Sequence, residues 1–284
     1  MLFLLVAPFS PAEAQDRTVS GFAFPESAYW DAPTLAFYVS NFGGSTLDPN
    51  GRDEDGYISK LGADGQVTRW VTGLRSPKGI RRVADRLFVA DVGQLVIIDP
   101  ETAAIEAAID LDAIGAKSPN DVAVDEASGD VYVSDMLRNA IYRIPAGTRA
   151  PEIFLESAEL DSPNGLLVDG PNLVVATYGG STDPGDPNPP TDHGILLLVD
   201  LATKAVSPLP GMVKTGRLDG IEKLDADYLV TDNPGGRLLR IAPDGSAAEV
   251  TTGLKNAADL GLRTDDRLAA VPELSGGTVR FLTV

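Results

Sequence analysis

Short runs in which apolar residues alternate with polar ones follow one another along most of the chain, separated by Gly, Pro, Asn and Asp. That period of two predicts half-buried strands joined by tight turns. The runs also come in sets. "NDVAVD", "GDVYVSDM" and "NAIYRI" succeed each other from residue 120. The same set returns as "KGIRRV", "DRLFVAD", "QLVIID" and as "DGIEKL", "DYLVTDN", "RLLRIA". Longer or looser copies are "ESAYWD…LAFYVSN…GYISKL", "NGLLVDG…NLVVATY…GILLLVD" and "ADLGL…RLAAVPE…GTVRFLTV". Alternating strands without intervening helices argue against a parallel sheet.

Each of the six units opens on an anchor residue: Glu26, Lys78, Asn120, Asn164, Asp219 and Ala258. The intervals between them are 52, 42, 44, 55 and 39 residues. A period near this length, with three or four short strands per unit, is the mark of propeller blades. The predicted fold is therefore all-β, a six-bladed β-propeller forming one domain over residues 15–284. The last unit lacks an outer strand. The segment "RTVSGFAF", residues 17–24, precedes the first anchor and is expected to supply it, pairing the two ends of the ring and hiding an edge.

In a propeller the first strand of each blade lies innermost, so six equivalent anchors converge on one axis. Glu26, Asn120, Asn164 and Asp219 offer oxygen as metal-facing atoms. Two carboxylates and two amide carbonyls suit a hard cation, calcium first, with magnesium, manganese and zinc behind it. Ordinary turn chemistry is the competing explanation. Pro precedes four anchors, at 25, 77, 119 and 163, and Pro-Asn-Gly or Pro-Asn-Asp commonly forms turns in which Gly relaxes φ. Polar anchors in five of six units weigh against turns alone.

Composition narrows the partners. The 284-residue chain carries a formal net charge of −18, which repels phosphate backbones and anionic lipid and favours cations. Nucleic acid and membrane surfaces are not expected as partners, and a monomer is. There is no Cys, which removes thiolate metal sites, disulfides and thiol catalysis. The start, "MLFLLVAPFSPAEAQ", joins a short apolar run to an Ala12-Glu13-Ala14 cleavage pattern. It reads as a signal peptide over 1–14 and hence an exported, periplasmic or secreted protein.

Glu26 in "FPESAYWD", Asn120 in "SPNDVAVD", Asn164 in "SPNGLLVD" and Asp219 in "RLDGIEKL" resemble, in blade order, the metal-site positions of the regucalcin and gluconolactonase family. The resemblance implies a six-bladed propeller that hydrolyses sugar lactones with calcium or another divalent ion. It implies that the ion polarises the lactone carbonyl, and that Asp219 both binds it and takes a proton from water. The chain departs from the family at Ser118, where its lactonases tend to carry an Arg that holds substrate hydroxyls. Lys78 departs too, placing a cation beside the proposed metal, where it either meets a substrate carboxylate or weakens metal binding. Asp259, next to the sixth anchor, brings back a negative charge. The candidate substrate contacts are Lys78, Asn120, Ser118, Asp259 and His193.

Two insertions share Gly-Gly-Ser-Thr, "NFGGSTLDPNGRDEDG" in unit one and "TYGGSTDPGDPNPPTDHG" in unit four. They fall at the same place in opposite blades and are expected to wall the pocket. His193, the only histidine, lies in the second and is a candidate proton carrier. Asp91, Asp135 and Asp232 end second strands and are expected to cap backbone amides. The leading expectation is a divalent-metal-dependent hydrolase of a lactone, a sugar-acid derivative or a related ester. The alternative is a non-catalytic propeller that binds a ligand or partner. An open axial site favours the first, and Lys78 paired with Glu26 or Asp219 favours the second.

Overall fold

The computed structural model describes residues 16–62, 65–180 and 194–284. It contains six four-stranded antiparallel sheets arranged as the blades of a propeller. Strand β1 (Arg17–Ser20) precedes the first blade, which comprises β2 (Pro25–Asp31), β3 (Ala36–Asn41), β4 (Gly56–Leu61) and β5 (Val67–Leu74). Blade two holds β6 (Ile80–Val83), β7 (Arg86–Asp91), β8 (Gln94–Ile98) and β9 (Ile105–Asp110). Blade three holds β10 (Pro119–Asp125), β11 (Asp130–Asp135), β12 (Ala140–Ile144) and β13 (Glu152–Glu156). Blade four holds β14 (Pro163–Asp169), β15 (Asn172–Thr177), β16 (Leu196–Asp200) and β17 (Val206–Pro208). Blade five holds β18 (Leu218–Leu224), β19 (Asp227–Asp232), β20 (Arg237–Ile241) and β21 (Ala247–Thr251). Blade six holds β22 (Gly261–Arg263), β23 (Leu268–Glu273) and β24 (Thr278–Thr283), and β1 pairs with β24 from Arg17↔Phe281 to Ser20↔Thr278.

The period-two pattern explains how one sheet serves two neighbours. Along β10 and β11, Val122, Val131 and Val133 turn toward blade two and pack with Leu95, Ile97 and Ile109. The intervening Ala123 and Tyr132 turn the other way and pack with Leu166, Leu173 and Val175 of blade four. The core is thus six apolar wedges between blades rather than one central mass. The wedge between blades one and six sets Phe37 against Phe281, edge to face at 5.3 Å, with Val19 of β1 packed on the same cluster.

The first strands of neighbouring blades pack on one another around the axis. Backbone bonds stitch them together, Gly79 N–H to Asn120 C=O at 3.0 Å and Asp259 N–H to Glu26 C=O at 2.8 Å. At one end the channel is crossed by the ion pair of Arg81 and Glu222, 3.0 Å apart. The other end carries the anchors.

Candidate functional site

Four of the anchors sit in the same local irregularity. In β2, β10, β14 and β18 the ladder to the second strand is regular except for a break just after the first residue. That residue pairs with the end of the second strand, as in Pro119↔Asp135 and Pro163↔Thr177, and the next two residues fall in the bulge. The bulged pairs are Glu26-Ser27, Asn120-Asp121, Asn164-Gly165 and Asp219-Gly220. A bulge bends the strand and re-aims its side chains. Pro suits the first strand position, where its missing N–H costs no ladder bond.

The bulges are held by hydroxyl groups of the second strands. Ser134 Oγ accepts from Asp121 N–H at 2.9 Å and donates to Asn164 C=O of the next blade at 2.6 Å. Thr231 Oγ1 accepts from Gly220 N–H and donates to Ala258 C=O, both at 2.9 Å. Ser40 Oγ accepts from Ser27 N–H at 2.9 Å. Each hydroxyl therefore fixes an anchor's neighbour, and two of them also fix the next anchor's backbone. Sequence reasoning missed this ring. Its signal lay in "VSN", "VSD" and "VTD", at the residue just before the last one of the second strand.

Turn chemistry does not account for the glycines after the anchors. Gly79, Gly165 and Gly220 are not among the residues with positive φ. A Cβ on Gly165 would lie 2.3 Å from Asp219 O, and one on Gly220 would lie 2.4 Å from an Asp259 carboxylate oxygen. These positions need Gly because neighbouring inner strands approach too closely for a side chain.

Glu26, Asn120, Asn164 and Asp219 are all buried at the anchor end of the channel. One oxygen of each, Glu26 Oε2, Asn120 Oδ1, Asn164 Oδ1 and Asp219 Oδ1, is buried with no hydrogen-bond donor. The other ends of three of these side chains are committed. Asn233 Nδ2 donates to Asp219 Oδ2 at 2.7 Å, and Asn120 Nδ2 donates to Met136 Sδ at 3.0 Å. The Asn164 carboxamide also stabilises the Asp219 carboxylate. Buried polar atoms are ordinarily satisfied, so four unpartnered acceptors, one from each of four blades, single out this end of the channel. Among the described residues, no group of three or more His, Cys, Asp or Glu is placed to hold a metal. The axial set differs from such groups because half of it is carboxamide.

Burial and the proximity of other carboxylates govern the acids at this end. Burial pushes the Asp219 carboxyl up to about 7, against the pull of Asn233, with the Asp121 charge acting in the same direction as burial. Burial also raises Glu26 well above the ordinary range, helped by the charges of Asp219 and Asp259 and opposed by Lys78. Lys78 is 2% exposed, and burial pulls its ammonium below the usual Lys range. Among the described residues it forms no ion pair with Glu26 or Asp219; its hydrogen bond runs to Ser76 C=O at 3.3 Å.

In four blades the residue directly after the second strand stands beside an anchor residue. Phe42 lies 5.6 Å from Lys78 Nζ, Met136 holds Asn120, and Asn233 holds Asp219. Tyr178 is close enough for the Asp219 charge to help raise its hydroxyl, after burial. Sequence reasoning missed these four, although each follows a strand end that it located.

The remaining candidates are placed as follows. Ser118 Oγ donates to Asn50 Oδ1 of the blade-one insertion at 2.9 Å, so it holds a loop. Ser76 does the same through Asp48 C=O at 2.9 Å and Gly51 C=O at 3.2 Å, and Arg52 forks onto Asp112 at 2.7 and 2.9 Å. The first insertion is thereby strapped over the anchor end of blades two and three. Asp259 lies one residue deeper than the anchors, accepting from Ser27 Oγ at 2.5 Å, with its Oδ1 unpartnered. Asp91 and Asp135 accept from the amides of Ser76 and Ser118 at 2.8 and 3.0 Å, and Asp232 accepts from that of Arg217 at 3.0 Å. His193, most of the second insertion from Ser181, and the signal peptide at 1–14 lie outside the described residues.

No protein-family model matches the chain, and neither does any curated sequence. Solved structures do. A gluconolactonase from Xanthomonas campestris superposes with a TM-score of 0.71 at 18% identity, over 96% of this chain and 93% of that one. The fold is that of the gluconolactonases. A structural-genomics protein assigned to the same group gives a TM-score of 0.70 at 18% identity, over 97% and 94% of the two chains. A Bacteroides thetaiotaomicron protein of unknown function gives 0.67 at 13% identity, over 94% and 72%. At such identities the likeness concerns architecture, and the chemistry must be argued from the residues above.

Proposed function

We propose that the protein is a divalent-cation-dependent hydrolase that opens a lactone or related ester at the anchor end of its channel. The observation that carries this reading is the set of four buried, unpartnered oxygens on Glu26, Asn120, Asn164 and Asp219. They fit a hard cation, calcium above magnesium, manganese or zinc, and these four residues would hold it. A cation bound there supplies Lewis acidity toward a substrate carbonyl. Gluconolactonases of the same fold support a lactone as the substrate class.

The chain's own groups supply the proton chemistry. Asp219 takes the proton of the attacking water, and Asn233 Nδ2 donates to its Oδ2 and holds the carboxylate in place. Met136 and Asn233 fix the rotation of the Asn120 and Asp219 side chains, so the oxygen set is preorganised. The apolar start and Ala-x-Ala pattern support an exported protein, which would act as a monomer on a small molecule.

The non-catalytic alternative predicted that Lys78 would neutralise the axis by pairing with Glu26 or Asp219. That Lys78 makes no such ion pair among the described residues favours the hydrolase. The test is proton release in weakly buffered solution from a panel of aldono- and alkyl-lactones, with calcium, magnesium and manganese in turn. Turnover that vanishes in chelator and in Asp219→Asn supports the reading. A folded protein that opens none of them under any of the three cations overturns it.

A further inference from the structure

Opening a lactone asks for more than a Lewis acid and a base. When water adds to the carbonyl, the bond from that carbon to the ring oxygen must break, and the oxygen leaves as an alkoxide unless a proton reaches it. The hydroxyls and donors around the anchors are few. Ser76 Oγ donates to Asp48 C=O or Gly51 C=O, Ser118 Oγ to Asn50 Oδ1, and Ser162 Oγ to Gly180 C=O at 3.1 Å. Asn233 is committed to Asp219, and Lys78 is buried with its hydrogen bond turned to Ser76 C=O. Tyr178 remains.

The backbone fixes where Tyr178 stands. In four blades the residue after the second strand donates its N–H to the C=O two residues before the anchor. Phe42 bonds Phe24, Met136 bonds Ser118, Tyr178 bonds Ser162 and Asn233 bonds Arg217, at 3.1, 3.3, 2.9 and 3.0 Å. Two of these equivalent side chains touch the anchor of their own blade, Met136 on Asn120 and Asn233 on Asp219. Tyr178 holds the same position in blade four, whose anchor is Asn164, and its half-buried hydroxyl feels the charge of Asp219 in blade five. Arg217, two residues before Asp219, meets it from that blade. Its Cζ lies 5.1 Å from the Tyr178 ring centroid, and the guanidinium hydrogen-bonds the hydroxyl. A guanidinium only donates, so the phenol oxygen is the acceptor there and its own proton points elsewhere. The hydroxyls of Tyr142 and Tyr228 donate to Asp135 and Asp169, whereas Tyr178 has no side-chain acceptor among the described residues. A tyrosine hydroxyl also carries its proton at neutral pH, as a donor must.

We propose that Tyr178 is a catalytic residue of the ring opening: its hydroxyl, held by Arg217, gives its proton to the ring oxygen as the bond to the carbonyl carbon breaks. The assignment rests on the hydrolase reading. In the balanced step the water oxygen bonds the carbonyl carbon and Asp219 takes one water proton. The ring oxygen leaves with the electron pair of the broken bond and receives the Tyr178 proton. The proton on Asp219 then returns to the phenolate through solvent, and the product is the open hydroxy acid. Arg217 is a positioning residue, and its charge steadies the transient phenolate.

The experiment measures Tyr178→Phe on calcium-loaded full-length protein with lactones that differ in leaving group. In δ-valerolactone and glucono-1,5-lactone the ring oxygen leaves as an alkoxide. In dihydrocoumarin it leaves as a phenolate and needs little help. The expected kcat falls about 100-fold or more on the alkoxide lactones and less than about threefold on dihydrocoumarin, as for loss of a general acid. KM stays close to the parent value for each. A merely structural role for the hydroxyl would lower all of them alike. Equal losses, or none, overturn the proposal and leave the hydrolase reading standing. A parent that opens dihydrocoumarin alone also overturns it, because such a site supplies no proton to an alkoxide. A parent that opens none of the three overturns the hydrolase reading and the proposal with it. Should Tyr178→Phe fail to fold, Arg217→Met decides. A loss about tenfold larger on the alkoxide lactones than on dihydrocoumarin, as for one charge-assisted hydrogen bond, then sustains the proposal, and equal losses or none overturn it.

Discussion

Asp219→Asn is expected to stabilise the protein when divalent cations are removed, although it destroys the proposed site. An Asp side chain in the unfolded chain titrates near about 3.9. In the fold, burial holds Asp219 at about 7. Above about pH 4 the unfolded chain gives up this proton while the folded protein keeps it. Stability therefore falls as pH rises from about 4 to about 7 and is level beyond. The gap corresponds to a penalty of about 4 kcal/mol at pH 8. Asn removes that penalty and gives up part of the bond with Asn233, a loss of about 1 kcal/mol. The net gain at pH 8 is about 3 kcal/mol, or roughly 6–12 °C in Tm for a chain of this size. At pH 5 most of the gain disappears, because the parent carboxyl is then largely protonated. The assay is thermal unfolding in chelator at both pH values, repeated with calcium. A variant less stable than the parent at pH 8 in chelator, or a gain independent of pH, would refute the reasoning.

Three further outcomes test the architecture that supports the site. Gly165→Ala places a Cβ 2.3 Å from Asp219 O and is expected to lower stability by about 1–3 kcal/mol in urea titrations; a neutral result would mean that the inner strands have room to part. Ser134→Ala leaves Asp121 N–H and Asn164 C=O without their partner. It should lower stability by about 2–3 kcal/mol and weaken calcium binding, measured by calorimetry, whereas unchanged calcium affinity would show that the hydroxyl does not position Asn164. A variant lacking residues 17–20 loses the β1–β24 ladder and the packing of Val19. Exposing the β24 edge should lower Tm and promote association, read by light scattering on heating, and an unaltered Tm would make β1 dispensable.

Much of the architecture was legible because it repeats. Alternation at period two, restarted six times, marks blades even where single strands are ambiguous, and the anchors mark where each innermost strand begins. Glu26, Asn120, Asn164 and Asp219 could be singled out because equivalent blade positions must meet at the axis. What holds them there was not legible in the same way. Ser134 reaches Asn164 across a blade boundary, 30 residues away, and Ser118 meets Asn50 at a separation of 68. Contacts of that range leave no local spacing to detect. The glycines after the anchors illustrate a different gap. Pro-Asn-Gly is the same string in a tight turn and in this bulged strand, and only the proximity of Asp219 O to Gly165 shows why a side chain is excluded. The residues beside the anchors, Phe42, Met136, Tyr178 and Asn233, share a position and no chemical type, so a search for motifs passes over them.

The most direct measurement of the central claim is thermal unfolding of the chelator-treated protein with and without calcium, alongside Asn164→Ala. Binding to the folded state alone stabilises by about 2.7 kcal/mol at a hundred times Kd, which raises Tm by roughly 5–10 °C. The account predicts that rise in the parent and its loss in the variant, whose only missing group is one of the four orphaned oxygens with its amide. A parent whose Tm ignores calcium, magnesium and manganese alike would contradict it.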